Sequence, residues 1–420
     1  MLDRFEVEGG KPLKGAVTCS GSKNAALPLM AAALMAEGVT TLENVPDLAD
    51  IHTMAMVLRF IGADVKLEGG TLTIDASNCR SSEAPYELVR KMRASFYVLG
   101  PLLYRFGRAR VSLPGGCALG PRPVDLHIKG VKKLGCDIQI DAGYVVAKAE
   151  RLRGARVLFD ISSVGATGNV IMAALAADGV TVIDNAACEP EIVELAQMLV
   201  AMGAEIRGIG ANRLEVAGPA RLKPVRWKVI PDRIVAGTYL TAGVITGGSV
   251  TVNACRPDHL TMLLDKLDEA GAHVAIAGNS VTVSVEADKR LKAVDVTTAV
   301  YPGFPTDLQA PWTALMALAD GTSIITDTIY PERFSHVPEL SRLGAKIQKE
   351  LNSIHIEGVP RLTGASVMCS DIRAGAGLVL ATIAAQGRSD VLRVYHMDRG
   401  YERLEQNLTS LGAKLNRVRE

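Results

Sequence analysis

The sequence predicts an α/β chain of two domains, each built from three copies of one supersecondary unit. Three observations carry that prediction. A helix–strand–helix–hairpin pattern recurs six times. The glycine closing the second helix of each copy returns at nearly constant spacing. The sixth copy is short of one strand. A chain of 420 residues suggests two or three domains. The repeat is too long for a common solenoid unit, and the polar end caps that an open array needs are absent, so two globular groups of three units are expected.

The first helices read ALPLMAAALMAEG, SFYVLGPLLYRFG, NVIMAALAADG, GTYLTAGVITGG, PWTALMALADG and LVLATIAAQG. They are rich in Ala and Leu and end at Gly. A short β-branched strand follows each. The second helices are amphipathic: Ile192, Leu195, Ala196, Leu199 and Val200 recur at the spacing of one buried face. They close at Gly62, Gly135, Gly203, Gly271, Gly344 and Gly412, spaced by 73, 68, 68, 73 and 68 residues. Glycine is expected there because a helix commonly ends on a left-handed residue. Hairpin signals come next, such as Glu68-Gly69-Gly70 and Gly278-Asn279. After Gly412 only AKLNRVRE remains, enough for one strand, and the N-terminal FEVEG is the candidate for its missing partner. The domains are therefore expected at 22–230 and at 1–21 plus 231–420, with linkers near Gly21 and near Val229-Ile230-Pro231.

Composition narrows the function classes. Apolar residues at 48 % and charged residues at 22 % are the balance of a soluble globular protein. A net charge of +1 gives no electrostatic reason to expect nucleic acid or an anionic membrane as partner. Seven cysteines (Cys19, Cys79, Cys117, Cys136, Cys188, Cys255 and Cys369) show no CxxC pair, which fits a reducing cytosol better than a disulfide framework. The N-terminus has no apolar signal-peptide core, and a cytoplasmic location is expected. The phosphate-binding GxxxxGK[ST] motif, HExxH and GxSxG are all missing, and Gly208-Ile209-Gly210 lacks the third glycine of a dinucleotide fingerprint. Nothing in the chain speaks to its oligomeric state.

The helix starts carry the first chemical signal. Ser22-Lys23-Asn24, Arg93-Ala94-Ser95, Ser163 to Thr167, Asp232-Arg233, Thr306-Asp307 and Asp371-Ile372-Arg373 open the first helices. Capping accounts for the Ser, Thr, Asn and Asp residues. Asn24 and Asp307 both fit it, since each has a proline four residues on, Pro28 and Pro311, inside a first turn that tolerates one. Capping does not account for Lys23, Arg93, Arg233 and Arg373, because a cation there opposes the helix macrodipole at about 0.3–1 kcal/mol each. A bound anion would resolve that conflict. Arg122, Arg256, Arg333 and Arg399 recur near the second helices. A second signal is Cys117, in the glycine-rich loop SLPGGCALGPRPVDLH. Such a loop is a poor place to bury a core residue, nearby arginines would favour its thiolate, and a mobile loop suits a lid.

The motifs SGSKNAALP, MRAS, LPGGCALGPRPVDLH, SVGATGN, PDRIVAGTYL, FPTDLQ, ERFSHVPELSRLGA, DIRAGAGLVLA and YHMDRGYERLE together resemble the UDP-N-acetylglucosamine 1-carboxyvinyltransferase family, nine motifs in family order up to about residue 417. The resemblance implies a two-domain inside-out α/β barrel, the enolpyruvyl transferase fold, with six pseudo-repeats. It implies transfer of the enolpyruvyl group of phosphoenolpyruvate to the 3′-hydroxyl of UDP-N-acetylglucosamine, the first committed step of peptidoglycan precursor synthesis, with no cofactor and no metal. By the same resemblance Lys23 contacts phosphoenolpyruvate and Asn24 the amino sugar. Arg122 and Arg399 hold phosphate and carboxylate, and Arg93 and Arg373 line the anionic site. Arg122, Pro123, Val124, Asp125 and Leu126, with Ser163, Val164 and Gly165, look like the uridine and diphosphate wall. Asp307 and the Ile329 backbone look like contacts to the 3′-hydroxyl and sugar, with Arg333 nearby. Ile161 departs from members that carry lysine there, which would weaken one diphosphate contact.

The implied reaction is addition and then elimination at C2 of the enol, breaking a C–O bond. Asp307 is expected as general base and Cys117 as the acid near C3 or as a covalent nucleophile, with alkylation of Cys117 by the epoxide fosfomycin. Lys23, Arg122 and Arg399 are expected to stabilise the developing charge. Two other readings keep parts of this picture: an enolpyruvyl transferase with another acceptor such as shikimate 3-phosphate, and an inactive paralogue that only binds sugar nucleotides. The shikimate-pathway relatives lack the PGGC loop and its RPVDLH continuation, which favours the sugar nucleotide.

Overall fold

Glycine ends each second helix in the computed structural model, which describes residues 3–114, 124–286 and 289–419. Gly62, Gly135, Gly203, Gly271, Gly344 and Gly412 all have φ between 89° and 116°. The chain divides into two compact units, Met1–Ser20 with Pro231–Glu420, and Gly21–Ile230.

Each unit has its own apolar core and three of the six four-stranded sheets. In the Gly21–Ile230 unit the strand Gly179–Asp184 shows the common plan. It pairs in parallel with Arg156–Leu158 and antiparallel with Arg213–Gly218, which in turn pairs with Glu205–Arg207. The helix Val164–Ala174 is the crossover between the two parallel strands. Arg226–Lys228, from the end of the third repeat, pairs in parallel with Val39–Glu43 of the first, so the three repeats close on themselves.

The other unit closes differently. Lys14–Thr18 supplies the parallel strand beside Ser249–Asn253. Arg4–Gly9 lies between Gly387–Leu392 and Lys414–Val418, antiparallel to both. The strand that the sixth repeat lacks is therefore the N-terminal one. Helices Arg233–Ile245, Gln309–Met316 and Ile372–Ala384 pack on one another, each buried around almost its whole circumference. Strands of the same unit alternate buried residues with more accessible ones, as in Ser280–Ser284 and Ser353–Glu357, so helices form the centre and sheets the periphery. Among the described residues the six cysteines are free, and no helix is long and apolar enough to cross a membrane.

Candidate active site

Cys117, Arg122 and Pro123 lie outside the described residues, so the site is built here from the others, one unit at a time.

In the Gly21–Ile230 unit, Ser22 caps the helix Lys23–Ala32 by accepting from the Ala25 N–H at 3.3 Å. The capping reading of Asn24 is thus corrected: Asn24 is the second helical residue. Pro28 consequently falls in the second turn, where its missing N–H leaves the Asn24 carbonyl without its usual helical donor. Lys23 has a resident counter-charge. Its Nζ donates to Asp50 Oδ2 at 3.0 Å, and both side chains are buried. The charge of Lys23 at this helix start is thus met within the chain by Asp50. Arg93 opens the 3-10 turn Arg93–Val98 and is half-buried.

The same unit carries the predicted nucleotide wall. Val124 is buried, and Asp125 and Leu126 start the helix Asp125–Lys133. Ser163 caps Val164–Ala174 by accepting from the Ala166 N–H at 3.3 Å. Ile161, two residues before that cap, is 67 % exposed. The neighbouring helix brings a cation to the adjacent position, where Lys129 Nζ donates to Asp160 Oδ2 at 2.5 Å.

In the other unit, Asp307 does not cap either. It sits inside the 3-10 turn Thr306–Leu308, whose N-terminus has no side-chain cap. Its carboxylate is held between two buried guanidiniums instead. Arg333 Nη1 donates to Oδ1 at 2.7 Å and to Thr306 Oγ1 at 3.1 Å. Arg373 donates from Nε to Oδ2 at 3.1 Å and pairs with the same oxygen through Nη2 at 3.1 Å. Arg373 Nη1 is buried with no hydrogen-bond partner among the described residues. Burial disfavours the Arg333 charge, but Asp307 and Asp371 outweigh it and hold its pKa above the ordinary value. Burial acts on Arg373 in the same sense and is outweighed by Tyr401, Asp307 and Asp232. The cation at the start of the 372–384 helix is thus also offset by a resident carboxylate.

Ile329 is half-buried and its N–H donates to Asp327 Oδ1 at 3.0 Å. Arg399 ends the 3-10 turn Val394–Arg399 and is half-buried. Arg256 is exposed and pairs with Asp258 at 3.1 Å. The recurrence of arginine near the second helices therefore spans buried and surface environments.

Comparison with known proteins can now be set beside this geometry. The family described as EPSP synthase (3-phosphoshikimate 1-carboxyvinyltransferase) matches residues 7–408. Among curated relatives, the UDP-N-acetylglucosamine 1-carboxyvinyltransferase of Chloroherpeton thalassium is 54 % identical over 99 % of this chain and 97 % of its own. That of Desulfosudis oleivorans is 50 % identical over 99 % of this chain and 100 % of its own. This chain belongs to the UDP-N-acetylglucosamine 1-carboxyvinyltransferase family. The enolpyruvyl transferase NikO from Streptomyces tendae superposes with a TM-score of 0.88 at 26 % identity, covering 99 % of each chain. The EPSP synthase of Acinetobacter baumannii, at 18 % identity and a TM-score of 0.76 over 100 % of both chains, shares the fold.

Two acidic residues that frame these side chains, Asp50 and Asp327, escaped the sequence reading, and a third, Asp371, is the helix cap expected from it. Asp50 neutralises Lys23. Asp327, fully buried, accepts from Thr298 Oγ1, Thr306 Oγ1, Ile329 N and Tyr330 N, tying the Asp307 turn to the Ile329 segment. Asp371 caps its helix by accepting from the Arg373 and Ala374 N–H groups, and its second oxygen accepts from Ser335 and Ser370. The partner of Asp50 is remote in sequence, and so are the threonines that meet Asp327; only its bonds to the Ile329 and Tyr330 N–H groups are local.

His336 lies between Arg333 and Asp371. Burial, reinforced by Arg333 and opposed by Asp371, pushes its pKa down to about 4. In the unfolded chain a histidine titrates near about 6.5. The folded pKa is the lower one, so the unfolded chain binds more protons below about pH 6.5, and stability declines from there until the pH reaches the folded value. We expect a urea midpoint lower at pH 5 than at pH 7, with a slope of about 1.4 kcal/mol per pH unit from each such buried histidine. In His336→Phe the difference between the two pH values should shrink; an undiminished difference would show that His336 does not carry it.

Proposed function

We propose that this chain transfers the enolpyruvyl group of phosphoenolpyruvate to the 3′-hydroxyl of UDP-N-acetylglucosamine with release of phosphate. The observation that carries the reading is identity of 50–54 % over 99 % of the chain with enzymes named for that activity. The direct test is phosphate release from phosphoenolpyruvate with UDP-N-acetylglucosamine or shikimate 3-phosphate as acceptor. Release with the sugar nucleotide alone is expected; release only with shikimate 3-phosphate would overturn the acceptor.

In this reading the sugar hydroxyl attacks C2 of the enol while C3 takes a proton. The tetrahedral ketal then loses phosphate as its C–O bond breaks. Asp307 accepts the hydroxyl proton, or the C3 proton during elimination. The paired guanidiniums of Arg333 and Arg373 fix its orientation. Lys23, Arg93, Arg122, Arg373 and Arg399 meet the phosphate and carboxylate of phosphoenolpyruvate. The unsatisfied Nη1 of Arg373 supports its part in this, since a buried donor without a partner is costly until a ligand meets it. Asn24 and the Ile329 backbone contact the sugar, with Arg333 holding Asp307 in place. Val124 to Leu126 and Ser163 to Gly165, with Arg122 and Pro123, take the uridine and diphosphate. Capped helix starts suit a diphosphate because their N–H groups point outward.

Cys117 serves as the proton donor to C3, or adds covalently to the enolpyruvyl carbon. Cys117→Ser should lose most turnover and still bind the sugar nucleotide; unchanged turnover would remove Cys117 from the mechanism. Incubation with fosfomycin and sugar nucleotide should leave a single adduct on Cys117, read by peptide mass spectrometry. We place this activity in the cytoplasm, at the head of peptidoglycan precursor synthesis and hence of cell-shape maintenance and division.

A further inference from the structure

The turn that carries Arg399 is held by a residue that the reaction described above does not use. Val394–Arg399 is preceded by Arg393 at φ 58°, and the segment ends at Arg403 with φ 49°. Both lie in the left-handed region that L side chains rarely adopt. The stretch between them therefore keeps its course only where surrounding contacts impose it.

Packing supplies part of that constraint. Val394, Met397 and Tyr401 are buried, and the Tyr401 hydroxyl lies 3.1 Å from Thr238 Oγ1. A Cβ on Gly400 would stand 2.6 Å from Ile372 Cγ2 and 3.6 Å from Arg373 Nη1. The chain just after Arg399 thus lies against the start of the 372–384 helix, beside the guanidinium of Arg373.

Charge supplies the rest. Arg417, on the strand Lys414–Val418, pairs across the sheet with Phe5, and its guanidinium lies 5.8 Å from that ring. Its Nη1 and Nη2 donate to the two carboxylate oxygens of Asp398 at 2.8 and 2.6 Å. Its Nε donates to Asp3 Oδ2 at 2.9 Å, and Glu405 Oε1 lies 3.6 Å from Nη1. The Asp3 carbonyl in turn accepts from the Val394 N–H at 3.2 Å. One guanidinium, 18 % exposed, therefore ties the residue next to Arg399 to the N-terminal segment and to the last strand. A two-pronged fork fixes direction as well as distance, which a single point charge does not.

We propose that Arg417 is a positioning residue for Arg399, acting through Asp398 to hold the Val394–Arg399 turn where Arg399 meets phosphoenolpyruvate. The assignment rests on the functional reading above, which gives Arg399 that ligand. Because Arg417 acts through Arg399, its effect falls on phosphoenolpyruvate and spares the sugar nucleotide.

Two measurements on the full chain test this. In hydrogen exchange read by mass spectrometry, peptides covering 394–403 should exchange faster in Arg417→Met than in the unaltered chain. Arg417→Lys, which keeps the charge without the fork, should fall between the two. Asp398→Asn leaves Asp3 on Arg417 and should show the same faster exchange, so the test stands even if Arg417→Met does not fold. Exchange of this segment unchanged in the variants overturns the proposal whatever the reaction. In steady-state kinetics, Arg417→Met should raise KM for phosphoenolpyruvate by about tenfold, part of the interaction of one charged group, and leave KM for the sugar nucleotide unchanged. Asp398→Asn should give the same split, and the double variant should be no worse than Arg417→Met alone, because the two residues act as one unit. Equal rises in both KM values, or effects that multiply in the double variant, would reduce Arg417 to a structural residue. If the unaltered chain releases no phosphate with UDP-N-acetylglucosamine, the functional reading fails, and the exchange measurement still decides whether Arg417 holds the turn.

Discussion

Asp307→Asn is expected to cut phosphate release by at least about a hundredfold, within the 10²–10⁴-fold that a general base typically supplies, while the chain still folds. The amide keeps the shape and one acceptor for the arginine donors but cannot take a proton. The substitution also removes the carboxylate shared by Arg333 and Arg373. Breaking a buried ion pair from one side costs about 3–5 kcal/mol; Asp371 and Asp232 still act on these arginines, so the measured loss should fall toward the lower end. The two effects separate by ligand. An anion that binds the folded state alone raises its stability by mass action, so phosphate should raise the melting temperature of Asp307→Asn more than that of the unaltered chain. A turnover close to that of the unaltered chain, with the melting temperature lowered, would leave Asp307 as a structural clamp only.

Asp50→Asn should be the most destabilising single change around Lys23. Side chains 8 % and 6 % exposed hold an ammonium and a carboxylate 3.0 Å apart. Removing the carboxylate leaves the ammonium charge in that buried place, at a cost of about 3 kcal/mol or more. The loss should appear as a lower urea midpoint for the Gly21–Ile230 unit. Lys23→Met, which removes the opposite partner, should destabilise comparably and also lose turnover. The double variant Asp50→Asn/Lys23→Met should be more stable than either single one, because an apolar side chain then faces a neutral amide. Additive losses in the double variant would show that the two groups do not depend on each other.

Much of the architecture was legible because its signals are local. The closing glycines announce a left-handed turn whatever surrounds them, and all six have positive φ. A sixth copy with a strand too few pointed to the N-terminus, and Arg4–Gly9 fills that place. The short parallel strands that complete the sheets were not legible. Glu83–Ala84, Arg156–Leu158 and Val296–Thr298 have two or three residues, too few to display a period of two, and they are strands only because a neighbour offers its edge.

The site divides along the same line. By itself the sequence determined which chemistry was present: cations at helix starts against the macrodipole, a cysteine in a glycine loop, and Asp307 two residues after a proline. It could not determine what each charge faces, and the capping reading of Asp307 failed for that reason, whereas that of Asn24 failed because Ser22 is the cap. A cap and an ion pair use the same residue types, and local spacing fits both. Only the tertiary structure decided between them, because it brings Arg373 to Asp307 across 66 residues and Asp50 to Lys23 across 27. In a buried setting an ionic partner outweighs a cap, since a guanidinium or an ammonium without a counter-charge costs several kcal/mol and a missing cap about one.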